Sequence, residues 1–259
     1  LLNETSNLNV KSKILIKNNQ HLWLVEQIKE GTISMCIHIK SNDFFIREET
    51  MIHLQQLPSF KLSILKFDVE YYKDILFERY NIPFPRLLDA ALTKRRAEYL
   101  AARIAAKRIL NISGEKGTPG TALDRSPTWP TGWCGSLSHT NEYAVALISP
   151  TSQGLIAGVD IENFEPKVLK ETAYIFSNQK EQEIISKVVM DYEMALLIIF
   201  SAKESLFKGL YPEVKRLFLF DAAQLIKFDE DKNKVIFMLT QDLSPMRRKG
   251  IELTIYYMF

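Results

Sequence analysis

Residues 200–208 read Phe-Ser-Ala-Lys-Glu-Ser-Leu-Phe-Lys and lie in a run rich in helix-forming residues. Glu204 and Lys208 are four positions apart, so a helix would place both on one face. Upstream, an apolar run that is typical of a strand ends with Asp160 and Glu162, and these two side chains would leave the same face of that strand. The pattern therefore predicts that three carboxylates and one lysine, from two elements, meet near one point.

This set of side chains has two interpretations. Carboxylates beside a lysine suit Mg²⁺ with a bound phosphate, because Mg²⁺ takes a few carboxylates, some waters and phosphate oxygens. An Asp-x-Glu pair at a strand end is also common by chance, and a Glu–Lys pair at helical spacing is usually a solvated ion pair worth about 0.2–0.5 kcal/mol. Spacing alone leaves both a metal site and ordinary surface charges open.

Two further segments give the pattern its specificity. Residues 129–139 read Trp-Pro-Thr-Gly-Trp-Cys-Gly-Ser-Leu-Ser-His and precede an apolar run, and residues 94–103 read Lys-Arg-Arg-Ala-Glu-Tyr-Leu-Ala-Ala-Arg. In chain order with Gly158–Glu162 and residues 200–208, these segments resemble the 4′-phosphopantetheinyl transferases. The similarity is to the monomeric, surfactin-activating type and its enterobactin synthetase component D branch. Each match alone is weak, but four in order are specific.

The resemblance implies a fold and a reaction. The fold is α/β, with two similar halves related by a pseudo-twofold axis, each a small sheet packed with helices, and coenzyme A in the cleft between them. The turn-rich Ser149–Gly154 segment would divide an N-terminal half, 1–150, from a C-terminal half, 151–259. The reaction moves the 4′-phosphopantetheine arm of coenzyme A to a serine of an apo acyl, peptidyl or aryl carrier protein and releases 3′,5′-ADP. The branch favours siderophore or other nonribosomal peptide synthesis.

The resemblance also implies catalytic and metal-binding roles. Mg²⁺ would be held by Asp160, Glu162 and Glu204. Glu204 has a second possible role as the base for the carrier serine, and the sequence does not separate the two. Lys208 would contact the diphosphate as a point charge. His139, expected after a turn of small residues, would donate a hydrogen bond to a phosphate oxygen.

Other residues would bind the nucleotide. By the same resemblance Arg95 and Arg103 reach the 3′-phosphate and adenine side, and their spacing of eight is close to two helical turns, so they share a helix face. Ser138 would support the turn before His139 or touch the nucleotide through its backbone. Arg125 would contact the nucleotide or remain a loop charge, and Arg96 is expected to face solvent.

Composition limits the class of protein. The 259 residues are 46% hydrophobic, enough for one large domain or two small ones, and the net charge of +2 does not decide for or against a polyanionic partner. Cys36 and Cys134 have no disulfide or zinc spacing, so we expect cytoplasmic thiols. No run of about 18 apolar residues predicts a membrane span. The first residues lack a signal-peptide pattern, and without Met at position 1 we expect a tag or truncation there.

The remaining pattern predicts the local elements. Strands are predicted at Thr32–Ile39, Tyr143–Ile148, Leu155–Ile161, Leu217–Phe220, Val235–Thr240 and Ile251–Phe259. Helices are predicted at Arg86–Leu110, 167–173, 178–190 and 191–210, with Pro212 marking the end of the last. Residues 113–132 predict a loop, and the polar residues 1–20 are expected to lie loosely on the surface.

Two other functions compete with transfer to a carrier. One is a Mg²⁺-dependent nucleotidyl hydrolase or transferase that uses the same carboxylates without a carrier protein. The other is a nucleic-acid-binding module that uses the basic residues of Arg86–Lys116. The second leaves the carboxylates unexplained and lacks aromatic residues for base stacking, since Tyr99 stands alone there.

A carrier partner also needs a docking surface. Carrier proteins are typically acidic where the modified serine begins a helix, which favours an apolar surface with basic edges. The region Lys167–Met190 has such residues, although the apolar ones are equally suited to a core. The candidates are Val168, Leu169, Ile175 and Phe176, with Lys167, Lys170 and Lys180.

Overall fold

The computed structural model describes residues 33–40, 43–54 and 57–258, without the side chains of 33–40. The prediction for residues 1–20 and the thiol of Cys36 lie outside this description. The strands are β1 (Ile33–Lys40), β2 (Ile46–Leu54), β3 (Lys61–Phe67), β4 (Gly120–Thr121), β5 (Pro127–Thr128), β6 (Trp133–His139), β7 (Tyr143–Pro150), β8 (Ala223–Asp229), β9 (Lys234–Leu239) and β10 (Glu252–Tyr256). The helices are α1 (Ile75–Arg79), α2 (Thr93–Ile112), α3 (Pro166–Phe176), α4 (Gln179–Ile185) and α5 (Tyr192–Val214).

The first part of the chain forms an antiparallel sheet in the order β1-β2-β3-β7-β6. Strand β7 alternates: Ala144 and Ala146 pack in the cluster that contains α2, whereas Val145 and Leu147 pack in a second cluster on the opposite face. Because α2 and β7 contribute many alanines to their contact, the helix lies close to the sheet. One face is thus covered by α2, and the other is turned toward the rest of the chain.

The second part forms a three-stranded antiparallel sheet in the order β10-β9-β8. Its core includes Phe237 of β9, which alternates buried and half-buried side chains. Leu196 and Ile199 of α5 and Leu169 of α3 fill the same core. The molecule is therefore a mixed α/β protein with small antiparallel sheets and packed helices, as predicted. No helix in the described part is long and apolar enough to cross a membrane.

Helix α2 begins at Thr93, so the prediction of a helix from Arg86 is wrong for its first seven residues. Arg86–Leu88 form a short 3₁₀ turn after Pro85. The guanidinium of Arg96 donates to the carbonyl oxygens of Leu88, at 3.1 Å, and Asp89, at 2.7 Å. These carbonyls are satisfied by a side chain, so the backbone does not need to continue as a helix.

The predicted strand Leu155–Ile161 is not a strand. The segment pairs with no strand, and at Gly158 its backbone lies against α5. Gly158 permits this: a Cβ there would lie 2.1 Å from the carbonyl oxygen of Ser205. Asp160 and Glu162 therefore do not share the face of a strand, and their position comes from the contact with α5.

Four smaller corrections concern element boundaries. Residues 133–139 form β6, so the turn of small residues expected before His139 is part of a strand. Leu217–Phe220 is not a strand, and the chain makes a 3₁₀ turn at Phe220–Ala222 before β8. Helix α4 ends at Ile185, five residues earlier than predicted. Pro212 lies inside the last turn of α5, which ends at Val214, where the left-handed Lys215 donates its N–H to the carbonyl of Tyr211.

Candidate functional site

The site lies where β6 passes between α2 and α5. Ser138 and His139 are consecutive residues at the end of β6, and consecutive side chains of a strand point to opposite faces. The Ser138 hydroxyl contacts Lys208 of α5, and the His139 ring contacts Arg95 of α2. His139 therefore ends a strand and does not follow a turn, and this strand brings residues of both helices into one cleft.

On the α5 side, a lysine, a serine and an aspartate form a compact group. Lys208 Nζ donates to Ser138 Oγ, at 2.8 Å, and to Asp160 Oδ1, at 2.5 Å. Ser138 Oγ also donates to Asp160 Oδ1, at 2.9 Å. The Asp160 side chain is only 1% exposed, and its second oxygen, Oδ2, is buried without a hydrogen-bond partner among the described residues. A buried carboxylate oxygen of this kind is suited to bind a cation.

Two more carboxylates lie beside Asp160. The pKa of Glu162 is raised to about 7, first by burial and then by the negative charges of Asp160 and Glu204, against the opposite effect of Lys208. The pKa of Glu204 is also raised, by burial and then by Asp160. The structure thus brings the four predicted residues together. Like-charged carboxylates in one place repel each other unless a cation joins them.

The carboxylates fit a divalent ion that shares its coordination with a substrate. Within the described residues, no three His, Cys, Asp or Glu side chains form a complete metal-binding set. Mg²⁺ does not need one, because it is usually held by one or two carboxylates together with waters and substrate phosphates. The unpaired Oδ2 of Asp160 and the adjacent Glu162 carboxyl supply such a donor set.

On the α2 side, His139 is held between an arginine and a glutamate. Arg95 Nη1 lies 2.6 Å from His139 Nε2, and Glu98 Oε2 lies 3.6 Å from His139 Nδ1. The pKa of His139 is lowered to about 4, first by burial and then by the positive charges of Arg95, Lys208 and Arg103. His139 is therefore neutral at physiological pH, in a cleft that is rich in positive charge.

Arg103 lies deeper on the same helix. Its residue is only 7% exposed, and its guanidinium stacks 3.6 Å from the centre of the Tyr99 ring. Nη2 donates to Thr121 Oγ1 at 3.0 Å, while Nε is buried without a partner among the described residues. Burial lowers the pKa of Arg103 to about 10, so the group still carries its charge. A buried cation of this kind is suited to bind an anion.

The other two predicted arginines behave differently. Arg96 does not face solvent freely: besides its two carbonyl contacts, Nη1 donates to Asp74 Oδ2 at 2.8 Å, so it fixes the start of α2. Arg125 is exposed at the tip of the β4–β5 hairpin, with a left-handed φ of 68°. Its contact with a nucleotide remains a prediction.

An apolar cavity of about 330 Å³ adjoins the carboxylates. Leu62 and Leu147 of the first sheet form one wall, and α5 and β10 form the other. Asp160 and Glu162 line the same cavity. It has room for a slender, mainly apolar chain whose charged end lies at the carboxylates.

Comparisons with known proteins identify the family. Residues 85–149 match the 4′-phosphopantetheinyl transferase N-terminal domain, and residues 157–254 match the 4′-phosphopantetheinyl transferase superfamily. The enterobactin synthase component D of Salmonella typhi is 35% identical over 168 residues, which are 64% of this chain and 68% of the relative. The chain belongs to the 4′-phosphopantetheinyl transferase superfamily.

Two other members of the superfamily extend the comparison. The enterobactin synthase component D of Salmonella typhimurium is 35% identical over 152 residues, 58% of this chain and 62% of the relative, so the match spans just under two thirds of that protein. The 4′-phosphopantetheinyl transferase PptT of Mycobacterium tuberculosis is 26% identical over 148 residues, 56% of this chain and 63% of the relative. The resemblance to the enterobactin branch is confirmed.

Sequence reasoning missed several residues of this superfamily member. Glu98 and Tyr99 stand inside the quoted basic segment, yet no role was predicted for Glu98, and Tyr99 was weighed only for base stacking. Spacing gives the signal for Glu98: it lies three residues after Arg95, within reach on a helix. Lys203, inside the α5 segment, forms a buried ion pair of 2.7 Å with Glu181 of α4. No local pattern shows that pair, because its partners come from separate helices.

Proposed function

We propose that the chain transfers the 4′-phosphopantetheine arm of coenzyme A to a serine of an apo carrier protein and releases 3′,5′-ADP. The observation that carries the proposal is the meeting of Asp160, Glu162, Glu204 and Lys208 near His139, which is also close to the buried cation Arg103. The names of the relatives favour carriers of siderophore or other nonribosomal peptide synthesis. The proposal takes the protein as a monomer.

Coenzyme A would bind in the cleft between the halves 1–150 and 151–259, which we propose are related by a pseudo-twofold axis. Arg103 and Arg95 would face the 3′-phosphate and adenine side, with Arg125 closing over the nucleotide. Ser138 and His139 would line the cleft between nucleotide and diphosphate. The pantetheine arm would occupy the apolar cavity, and the phosphate end of the arm would lie next to Asp160 and Glu162, which line the same cavity.

Asp160, Glu162 and Glu204 would hold Mg²⁺, which when bound would lower the negative charge of the diphosphate that is cleaved. Lys208 would exchange its contact with Asp160 for one with a phosphate oxygen. Glu204, one turn before Lys208 on α5, would take the proton of the carrier serine. The serine oxygen then forms a bond to the phosphorus that bears the pantetheine arm. The bond from that phosphorus to the bridging oxygen of 3′,5′-ADP breaks, and the electron pair leaves with the nucleotide.

Intact-mass measurement of an apo carrier protein tests this function. The chain, coenzyme A and Mg²⁺ should add one phosphopantetheine to the carrier, with release of one 3′,5′-ADP. Asp160→Asn should abolish the mass gain, because it weakens the only group that joins Lys208, Ser138 and the proposed metal. The variant Asp231→Asn, on an exposed turn of the second sheet, is the matched control. Cleavage of coenzyme A with no change in the carrier would instead support the hydrolase alternative.

A further inference from the structure

Glu98 is a buried carboxylate for which the proposed reaction has no use. It lies on α2 and is 7% exposed, and burial raises its pKa, an effect that the positive charges of Arg95 and Lys94 oppose. Its Oε2 is 3.7 Å from Arg95 Nη1 and 3.6 Å from His139 Nδ1. A buried carboxylate is costly unless it is paired. Two of its partners here, Arg95 and His139, are the side chains that line the nucleotide side of the cleft.

The contacts of His139 define where its proton lies. A guanidinium has no lone pair to offer, so Arg95 is the donor in the 2.6 Å contact and His139 Nε2 is the acceptor. Because the ring is neutral, its one proton must be on Nδ1, the atom that faces Glu98. Arg95 thus selects the Nδ1 tautomer, and the carboxylate of Glu98, 3.6 Å from Nδ1, favours the same tautomer by its charge, in addition to a backbone hydrogen bond of the ring with Thr140.

We propose that Glu98 is a positioning residue, which holds Arg95 and His139 in their binding orientation without touching coenzyme A. The expected effect on coenzyme A binding rests on the proposed function, whereas the contacts of Glu98 with Arg95 and His139 do not depend on it. Arg95 has a half-exposed side chain with many rotamers, and its contacts with Glu98 and His139 limit them before the substrate arrives. A preorganised guanidinium binds a phosphate at a smaller entropic cost than a free one.

The test compares Glu98→Gln with Glu142→Gln. Both changes remove one negative charge without changing side-chain length, and Glu142 lies on the β6–β7 turn, three residues from His139. Nitrogen-15 NMR of the imidazole rings in the free protein reports the tautomer, and His139→Asn assigns the His139 signal. The wild type and Glu142→Gln should show His139 protonated on Nδ1, whereas Glu98→Gln should show a mixture of tautomers.

Calorimetry then measures coenzyme A binding to the same proteins. Loss of an outer-shell partner typically costs about 10–100-fold in affinity or activity at metal sites, and we expect a loss of about tenfold for Glu98→Gln, with less than twofold for Glu142→Gln. Glu98→Asp keeps the negative charge but places it farther from Arg95 and His139, because its side chain is shorter. Its affinity for coenzyme A should lie between those of the wild type and Glu98→Gln. It also provides a readout if Glu98→Gln does not fold.

The outcomes separate the two proposals. An unchanged His139 tautomer and unchanged coenzyme A affinity in Glu98→Gln, with only a shift in unfolding temperature, would show that Glu98 is structural and overturn the inference. If the wild type binds no coenzyme A, the proposed function fails, and the tautomer measurement still decides whether Glu98 orients His139.

Discussion

Arg103 is a buried cation that forms no ion pair with a carboxylate in the part of the chain that the structure describes. Its nearest oxygen partners in the described part of the chain include Thr121 Oγ1 and the carbonyl of Gly120, at 3.0 and 3.4 Å. Neither partner carries a charge, so the positive charge of the guanidinium remains able to bind an anion. The stacked Tyr99 ring fixes the plane of the guanidinium, and a planar donor with fixed orientation suits a phosphate better than a flexible ammonium does.

Replacement of Arg103 should therefore weaken coenzyme A binding specifically. We expect Arg103→Ala to raise the KM for coenzyme A by about 10–100-fold, since hydrogen bonds to charged groups contribute about 1.5–3 kcal/mol, with kcat less affected. Steady-state kinetics with dephospho-coenzyme A should show little further loss in the variant. The matched change Arg108→Ala, on the same helix but paired with Glu49 at 3.4 Å, should leave KM unchanged. An equal effect of both variants on KM would contradict the assignment.

At the residue scale, motifs revealed which side chains carry charge but not which of them are buried. Arg95, Arg96 and Arg103 look alike in the sequence, yet the structure places one against His139, one on carbonyl groups and one against Tyr99. The difference depends on residues far along the chain, such as Thr121, that no local pattern connects to the helix. Glu98 was overlooked because its partner His139 belongs to another element.

At the element scale, a buried ion pair fixes α5. Lys203 Nζ is bound by Glu181 Oε1 at 2.7 Å and by the carbonyl of Phe176 at 2.8 Å. Glu181 also caps α4 and accepts the N–H of Leu225 in β8. Since Lys203 precedes Glu204 on α5, this pair sets the rotation of the helix that presents Glu204 and Lys208 to the cleft.

Removal of one partner should destabilise the fold. Glu181→Ala leaves a buried lysine without its counter-charge, and breaking a buried pair in this way costs about 3–5 kcal/mol. Denaturant unfolding should show that loss in the free energy of unfolding. The control Lys170→Ala removes one partner of an exposed pair with Glu193 and should change it far less. Similar losses in both variants would mean that the Glu181–Lys203 pair does not hold α5.

Gly158 fixes a second element, the extended segment that carries Asp160. A Cβ at Gly158 would lie 2.1 Å from the backbone oxygen of Ser205, which cannot move without α5. Gly158→Ala should therefore separate the segment from α5, lower the unfolding temperature and abolish transfer. Gly132→Ala is the control, because its Cβ would meet no atom within 4 Å and costs only the strain of a left-handed backbone, about 1–2 kcal/mol. A fully active Gly158→Ala would show that this close contact does not position Asp160.

The elements also show where sequence periodicity is sufficient. Helices α3 and α5 and strands β7, β9 and β10 follow regular apolar patterns and were predicted near their observed positions. Strand β6 was not, because its glycine, serines and histidine resemble a turn, and pairing with β7 decides its conformation. The segment Leu155–Ile161 has a strand composition, but it has no strand pairing, and its buried side chains, Ala157 and Ile161, pack against the first sheet.

At the scale of the whole molecule, the cleft depends on surfaces from both parts of the chain. In the described part of the chain, no helix of the first part covers the face of the first sheet opposite α2, and this face packs against residues 157, 161 and 258. The apolar cavity lies in this contact, with α5 and β10 on its other side. A substrate that fills both the apolar cavity and the charged cleft must therefore contact the first sheet on one side and α5 and β10 on the other. This arrangement favours a substrate site between the two halves.

Under the proposed function a carrier protein would approach this cleft, and α3 begins four residues after Glu162. Of the predicted docking residues, Leu169 and Phe176 are core residues, so their assignment to a docking surface is wrong. Val168 and Ile175 remain exposed on the outer face of α3, with the exposed Tyr174 beside them. This face, bordered by lysines, is the surface that we expect an acidic carrier to contact.

Charge reversal tests this surface in the whole protein. The double change Lys167→Glu and Lys180→Glu should lower kcat/KM for the carrier, because it replaces attraction to an acidic partner by repulsion. The loss should be larger at low salt, since exposed charges are screened beyond about 8 Å at physiological ionic strength, and KM for coenzyme A should not change. The control pair Lys73→Glu and Lys232→Glu reverses two exposed charges elsewhere and should leave the carrier kinetics unchanged. If the α3–α4 variant modifies the carrier as fast as the wild type at low salt, the carrier docks on another surface, and the assignments of Arg103 and Asp160 are unaffected.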